Sequence, residues 1–193
     1  MANVIKLRKG LDINLKGIAA KELVSVKEPG IYSLVPDDFT GVKPKVVVKE
    51  GENVLAGGPL FVDKNHPEVK FVSPVSGVVT SVERGERRKV LNIIVKADEN
   101  QQYVEFGKMN LAELNAEQVK EALMNAGLFA FFRQRPFDVV PDPTDAPQAI
   151  FVSAFDSAPL APDFELALKG EETNFQTGLN ALARDNEKDT KVF

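Results

Sequence analysis

The chain has no cysteine, and that one absence removes disulfides, thiolate catalysis, iron–sulfur ligation and cysteine-based zinc sites together. Histidine is almost as scarce. His66 stands alone, so a histidine metal cluster, a serine–histidine triad and a cysteine–histidine pair are all excluded within the chain. No run of about eighteen apolar residues occurs, which predicts a soluble or peripheral protein rather than a spanning one. The opening Met1-Ala2-Asn3-Val4-Ile5-Lys6-Leu7-Arg8-Lys9 lacks the apolar core of a signal peptide. Excess positive charge is missing too. The formal net charge is -4, and the local cluster Arg84, Arg87, Arg88 and Lys89 is balanced by Glu83 and Glu86, so there is no basic footprint for nucleic acid. Those arginines are read either as a docking point for phosphate or a partner carboxylate, or as a solvated hairpin end.

A glycine-rich phosphate loop is also lacking. The apolar stretch that ends at Asp156 is followed by Ser157-Ala158-Pro159-Leu160-Ala161-Pro162, with prolines where a dinucleotide fold needs glycines for close backbone approach. This argues against independent binding of NADH or flavin. The acidic pairs Asp37-Asp38 and Glu171-Glu172 are sequence neighbours, whose side chains point apart on a strand or helix, so neither is an acid–base pair. In its Asn65-His66-Pro67 context, His66 reads as part of a turn.

What is present is concentrated in residues 45–96. Lys45-Val46-Val47-Val48 and Gly77-Val78-Val79-Thr80-Ser81-Val82 are rich in β-branched residues and are cut by glycine and proline, the pattern of short strands with frequent corners. Gly51, Gly57, Gly77 and Gly85 mark the corners. The unit Val48-x-x-Gly51-Glu52 is echoed by Val82-x-x-Gly85-Glu86, as in quasi-repeated hairpins, and residues 87–96 read as a strand that closes a small barrel or sandwich. Downstream, Asn115 is a suitable N-cap for a helix over 116–126 with Val119, Leu123 and Met124 on its apolar stripe and Gly127 just beyond its end. Residues 149–156 read as a buried parallel strand and 172–186 as a helix with Phe175, Leu179 and Leu182 on one face. Lys191-Val192-Phe193 reads as the start of another strand; a strand so placed suggests a chain cut inside a βαβ unit.

Between these parts lies Gly127-Leu128-Phe129-Ala130-Phe131-Phe132-Arg133-Gln134-Arg135-Pro136-Phe137, an unusual density of phenylalanine and arginine ahead of the proline-rich run Pro141 to Pro147. One reading is a packed interdomain hinge, in which aromatics bury area and arginines bond to carbonyl oxygens. The other is a site for a planar, weakly polar ring such as a quinone. Its residues would be Phe132, Arg133, Arg135 and Phe137, with the phenylalanines stacking on the ring and an arginine bonding to its carbonyl.

Three blocks then point to known families. Gly51-Glu52-Asn53-Val54-Leu55-Ala56-Gly57-Gly58-Pro59-Leu60 followed by Ser73-Pro74-Val75-Ser76-Gly77-Val78-Val79 resembles the biotinyl and lipoyl carrier modules, which implies a barrel-sandwich hybrid fold. Those modules carry their cofactor on a lysine at the intervening tip. Here the tip is Asp63-Lys64-Asn65-His66-Pro67-Glu68, without the flanking residues of the carrier signature, so the fold is expected and the chemistry on Lys64 is not. Lys9-Gly10-Leu11-Asp12-Ile13-Asn14-Leu15 and Arg133-Gln134-Arg135-Pro136-Phe137 resemble the NqrA family, one of the subunits of the bacterial sodium-translocating NADH:quinone reductase, although that family commonly has proline at the position of Asn14.

That resemblance implies a peripheral protein on the cytoplasmic face of the bacterial inner membrane. It implies membership of a complex of six subunits that couples NADH oxidation and quinone reduction to sodium export. It also implies docking on the integral membrane subunits, especially NqrB, no cofactor bound covalently here, and NADH, flavins and iron centres in the partners. The expected organisation is a barrel-sandwich hybrid β domain with an irregular amino-terminal segment over 1–103 and a helix with the aromatic connector over 104–148. The truncated start of a Rossmann-like α/β domain follows over 149–193. The alternatives are a biotin or lipoyl carrier modified on Lys64, and the C-type component of a related ion-translocating electron-transport complex, which needs cysteine-rich clusters that this chain lacks.

Overall fold

β-Branched residues and glycine or proline corners divide the first half of the chain into seven strands: β1 Ile31–Leu34, β2 Pro44–Val46, β3 Asn53–Val54, β4 Pro59–Asp63, β5 Lys70–Val72, β6 Gly77–Arg84 and β7 Val90–Ala97. The computed structural model describes residues 16–17, 20–156, 158, 160–184 and, by backbone, 191–192. The expected block Lys9 to Leu15 lies outside the described residues, as does Phe193. Two antiparallel sheets form, in the orders β1-β7-β6-β3 and β2-β4-β5. Single bonds extend the pairing within each sheet. Gly51 N–H donates to Val79 O at 2.8 Å and Val79 N–H to Glu52 O at 2.9 Å, while Ser73 and the Gly57-Gly58 pair exchange two more at 2.8 Å each.

Leu60, Phe61, Phe71, Val79, Ile93 and Val95 fill the space between the sheets and are almost wholly buried. β4 buries Leu60, Phe61 and Val62 in succession, so it is covered on both faces, whereas β6 begins with the in–out alternation of a half-covered strand. The Phe61 and Phe71 rings stack with centroids 4.4 Å apart, and Phe39 stands edge-on at 4.6 Å to Phe71. Two serines are buried among these groups and both are satisfied. Ser73 Oγ donates to Val75 O at 2.6 Å, and Ser76 Oγ accepts the Gln102 N–H at 2.9 Å.

Two strand expectations are corrected. The closing strand begins at Val90 rather than residue 87, because Arg87 and Arg88 take left-handed backbone conformations (φ 53° and 63°), which no strand accommodates. The hairpin closes instead through Gly85 N–H to Lys89 O at 2.8 Å. Its sequence echo, Gly51, reaches its corner with φ 82°, so the two matched turns differ in backbone.

The second correction concerns 149–156. Only Ala149–Ile150 (β8) is strand; it pairs in parallel with Lys191–Val192 (β9), and β8 is half-buried. A run holds strand geometry only where a ladder partner supplies its hydrogen bonds, and this ladder is two residues long. Phe151 and Phe155 consequently emerge 78% and 77% exposed. The parallel pairing itself agrees with the βαβ reading.

The helices follow their caps. In α1, Ala116–Asn125, Asn115 Oδ1 accepts the Gln118 N–H and Gln118 Oε1 accepts the Asn115 N–H, a reciprocal capping box. Val119 is buried, Leu123 and Met124 pack on the barrel core, and Gly127 follows with φ 73°. Lys70 Nζ donates to Asn125 Oδ1 at 2.7 Å, fastening the end of α1 to β5. A short helix that the sequence does not announce, α2 Phe164–Ala167, is capped by Asp163, whose carboxylate also pairs with Lys21 at 2.8 Å. α3 spans Glu172–Arg184 with Phe175, Leu179 and Leu182 half-buried, and the last two residues of the expected helix lie outside the described ones. Among the described residues no helix is long and apolar enough to cross a membrane.

The tightest backbone contact is at Gly77, where a Cβ would lie 2.0 Å from Lys96 O. Gly77→Ala is expected to destabilise the protein by about 3 kcal/mol, the upper end of overpacking costs. Gly30→Ala, with nothing within 4 Å, is expected to change stability little. Denaturant unfolding of both variants checks the contrast; equal stabilities would refute it.

Candidate functional site

The phenylalanine–arginine segment starts as a single turn and continues as a hairpin. Phe129–Phe131 form a 3-10 turn in which Phe129 and Ala130 are buried in the barrel core. Alternate rings therefore go different ways. Phe132 is half-buried, packed on the core with its ring 5.6 Å from that of Phe129. Phe131 is 73% exposed and meets Phe39 edge-on at 6.5 Å.

From residue 133 the chain doubles back. Gln134 N–H donates to Val139 O at 2.7 Å, and Asp138 takes the left-handed conformation (φ 55°) that closes the turn, one that aspartate tolerates better than most residues. Val140 N–H donates to Thr40 O at 3.0 Å, and the missing side chain of Gly41 admits Val139, to which a Cβ would come within 3.1 Å. The hairpin 133–139 thus rests on the loop 36–41, the loop that carries Phe39.

The four residues singled out from the sequence divide into two pairs. Phe132 and Arg133 belong to the scaffold side: Arg133 Nη2 donates to Asp38 O at 3.1 Å, and its Nη1 lies 3.5 Å from Asp138 O and from Thr40 Oγ1. This is the carbonyl-bonding role of the hinge reading. Arg135 and Phe137 belong to the solvent side, two residues apart on the exposed tip, with Phe137 81% exposed. Among the described residues the Arg135 guanidinium has no hydrogen-bond or ion-pair partner. Such a tip can stack on a planar ring and donate to its carbonyl oxygen. Among the described residues no three histidine, aspartate or glutamate side chains are grouped to hold a metal.

The carrier-like tip is arranged differently. Lys64 is exposed, but the turn around it is tied down: Asp63 Oδ1 accepts the Asn65 N–H at 3.0 Å, and Lys64 N–H donates to Lys43 O at 2.8 Å. His66 reaches out of the turn to the connector, where its Nε2 lies 3.2 Å from Asp142 Oδ2. The Thr144 hydroxyl and then its N–H hold the Asp142 carboxyl below the usual carboxylate range, with a smaller contribution from the His66 charge. Sequence reasoning missed this pair. Its only local signal is the Asp142-x-Thr144 spacing of an aspartate-capped turn, and the partner lies far away in the chain.

The acidic neighbours are engaged separately. Asp37 pairs with Lys89. Glu171 accepts from Asn174 Nδ2, and the Glu172 carboxyl is lowered by its own N–H and that of Gly170, at the start of α3. Arg84, Arg87 and Arg88 lie exposed at the β6–β7 tip, with Arg84 Nη1 3.4 Å from Arg88 O.

Comparison with known proteins identifies the two parts of the chain. Residues 5–98 match the NqrA N-terminal barrel-sandwich hybrid domain and residues 114–193 the NqrA second alpha/beta domain. The chain is 36% identical over 184 residues to the A subunit of the Na(+)-translocating NADH-quinone reductase of Pseudomonas aeruginosa (strain UCBPP-PA14). It is 38% identical over 183 residues to that of Actinobacillus pleuropneumoniae serotype 5b (strain L20), and 38% over 185 to that of Serratia proteamaculans (strain 568). Each alignment takes in 94% of this chain and 41% of the relative, so the chain spans about two-fifths of the length of the curated relatives it matches. With both domains matched in order, a barrel-sandwich hybrid followed by an α/β domain, the chain belongs to the NqrA family of the Na(+)-translocating NADH-quinone reductase.

Proposed function

We propose that this chain supplies the barrel and first α/β portion of a peripheral subunit in a sodium-translocating NADH:quinone reductase, a complex that couples NADH oxidation and quinone reduction to Na+ export. The observation that carries this reading is the collinear match to NqrA over 94% of the chain. On this reading the chain has no redox centre of its own. NADH, flavins and iron centres belong to partner subunits, and it docks at the cytoplasmic face of the bacterial inner membrane on the integral subunits, chiefly NqrB. We take the boundaries of its parts as 1–103, 104–148 and 149–193. A match shared with NqrA favours this reading over a carrier modified on Lys64.

Quinone is the substrate this protein meets, at the site made by Phe132, Arg133, Arg135 and Phe137. The geometry supports a division of roles. Arg135 and Phe137 present an unengaged guanidinium and an exposed ring to the quinone, while Phe132 and Arg133 seat the hairpin on the barrel. Arg133 is therefore a positioning residue, and Arg135 donates to a quinone carbonyl.

Assembly is tested by affinity purification of the tagged full-length protein from gently solubilised membranes, with mass spectrometry of what accompanies it. Flavin-bearing membrane subunits are expected; a soluble carboxylase or acyltransferase in their place would overturn the assignment. In the assembled complex, Arg135→Ala is expected to weaken quinone binding about tenfold, the scale of one charge-assisted hydrogen bond. Unchanged affinity would sink the quinone site while leaving the place in the complex intact. Arg133→Ala is expected to cost about 1 kcal/mol of stability through its lost carbonyl bonds, against less than about 0.5 kcal/mol for Arg135→Ala. Thermal or denaturant unfolding measures both, and an equal cost would refute the division of roles.

A further inference from the structure

Phe39 and Val42, two side chains that pack on the barrel core, bracket Thr40 and Gly41 just before the chain enters β2. This stretch is therefore anchored to the core at both ends. The hairpin 133–139 is held against it by polar contacts that are few and mostly long. Arg133 Nη2 donates to Asp38 O at 3.1 Å, Arg133 Nη1 lies 3.5 Å from Thr40 Oγ1, and Val140 N–H donates to Thr40 O at 3.0 Å.

At Gly41 the two segments press together. Its φ is 89°, and a Cβ there would stand 3.1 Å from Val139 Cβ and 3.3 Å from Val139 Cγ1. Carbon atoms pack best at about 3.5–4.0 Å, so with a side chain at position 41 one segment would have to retreat by a few tenths of an ångström. Close-packed cores yield little. The side fixed by Phe39 and Val42 therefore stays, and the hairpin moves. That movement reaches the tip. Val139 is joined to Gln134 by the 2.7 Å bond that closes the hairpin, and Arg135 and Phe137 lie between those two residues. Gly51 makes the contrast: it has φ 82°, yet a Cβ there would meet nothing within 4 Å. Glycine at 51 serves the backbone alone, whereas at 41 it also makes room for Val139.

We propose that Gly41 is a positioning residue for the quinone site. By lacking a side chain it lets Val139 seat, and so sets where Arg135 and Phe137 stand against the barrel. This role rests on the reading of Arg135 and Phe137 as the groups that face quinone. Gly41 touches no ligand itself.

The test uses Gly41→Ala, Val139→Ala and the double variant, with Gly51→Ala as the control for alanine at a left-handed position. In the 193-residue chain the measurement is amide hydrogen exchange of Val140, whose bond crosses the seat, against the core amide of Ile93. Gly41→Ala is expected to speed the Val140 exchange about threefold, and Val139→Ala added to it is expected to restore most of the protection. In the assembled complex, Gly41→Ala is expected to weaken binding of a short-chain ubiquinone about threefold, the scale of a misplacement of a few tenths of an ångström. The double variant is expected to recover about half of that loss or more, and Gly51→Ala to leave affinity at the wild-type value. Unchanged Val140 exchange in Gly41→Ala overturns the seat. Unchanged quinone affinity in Gly41→Ala, where Arg135→Ala weakens binding, overturns the positioning role and leaves the quinone site standing. Unchanged affinity in both overturns the quinone site, and the role of Gly41 with it. A loss that Val139→Ala does not relieve, or that Gly51→Ala reproduces, comes from backbone strain and overturns the steric fit.

Discussion

Phe39 stands edge-on to Phe61, Phe71 and Phe131 at centroid separations of 6.1, 4.6 and 6.5 Å, linking its loop to the barrel core and to the aromatic segment. Phe61 and Phe71 are the stacked centre of the barrel core, while Phe131 is at the surface. One ring on the loop 36–41 therefore couples the core to the aromatic segment. Edge-to-face pairs contribute about 0.5–1.5 kcal/mol each beyond the area they bury, enough in sum to hold a loop that has little regular structure of its own. The same loop offers its carbonyls to Arg133 and to Val140 N–H, so the hairpin that presents Arg135 and Phe137 is seated on a surface set by the core.

Buried polar groups work in the same direction. Ser76 sits at 1% exposure, which would be costly for a hydroxyl without partners; it accepts from Gln102 N–H and donates toward Asp98. Gln101 adds bonds to Ser76 N–H and Asp98 O. These contacts lay residues 98–102 back on the barrel before α1 begins. Lys70 to Asn125 and His66 to Asp142 then join the barrel to the end of α1 and to the connector. The aromatic segment is bracketed on both sides.

Much of this was legible in advance, and the reasons are local. Asn115 could be read directly as the N-cap that starts α1, and Gly127 marked its end. The β-branched runs and the glycine corners indicated short strands in a small sandwich or barrel, and the resemblance to the carrier modules implied a barrel-sandwich hybrid, which the family match bears out. The misreadings come from non-local causes. Residues 151–156 have the composition of a buried strand but the ladder stops at Ile150, and nothing in the run itself reports how long its partner is. At Arg87 and Arg88 the positive φ angles are imposed by closing the β6–β7 hairpin, and arginine gives no sign of that conformation.

The aromatic and arginine density of 129–137 marked a segment of interest from its composition alone, together with the residue types suited to a planar, weakly polar ring. Composition could not say which way each ring and guanidinium faces. The 3-10 turn at Phe129–Phe131 and the hairpin after it sent Phe132 inward, engaged Arg133 with the carbonyl of Asp38 and left Arg135 and Phe137 in solvent. Periodicity, caps and turn residues depend on neighbours within a few positions, so the sequence carries them openly. The direction of a side chain in an irregular segment depends on which distant surface the backbone meets. Here that surface is a loop far upstream, with |i−j| of 95 for the Arg133–Asp38 contact, and it exists only once the barrel core has formed around Phe61 and Phe71.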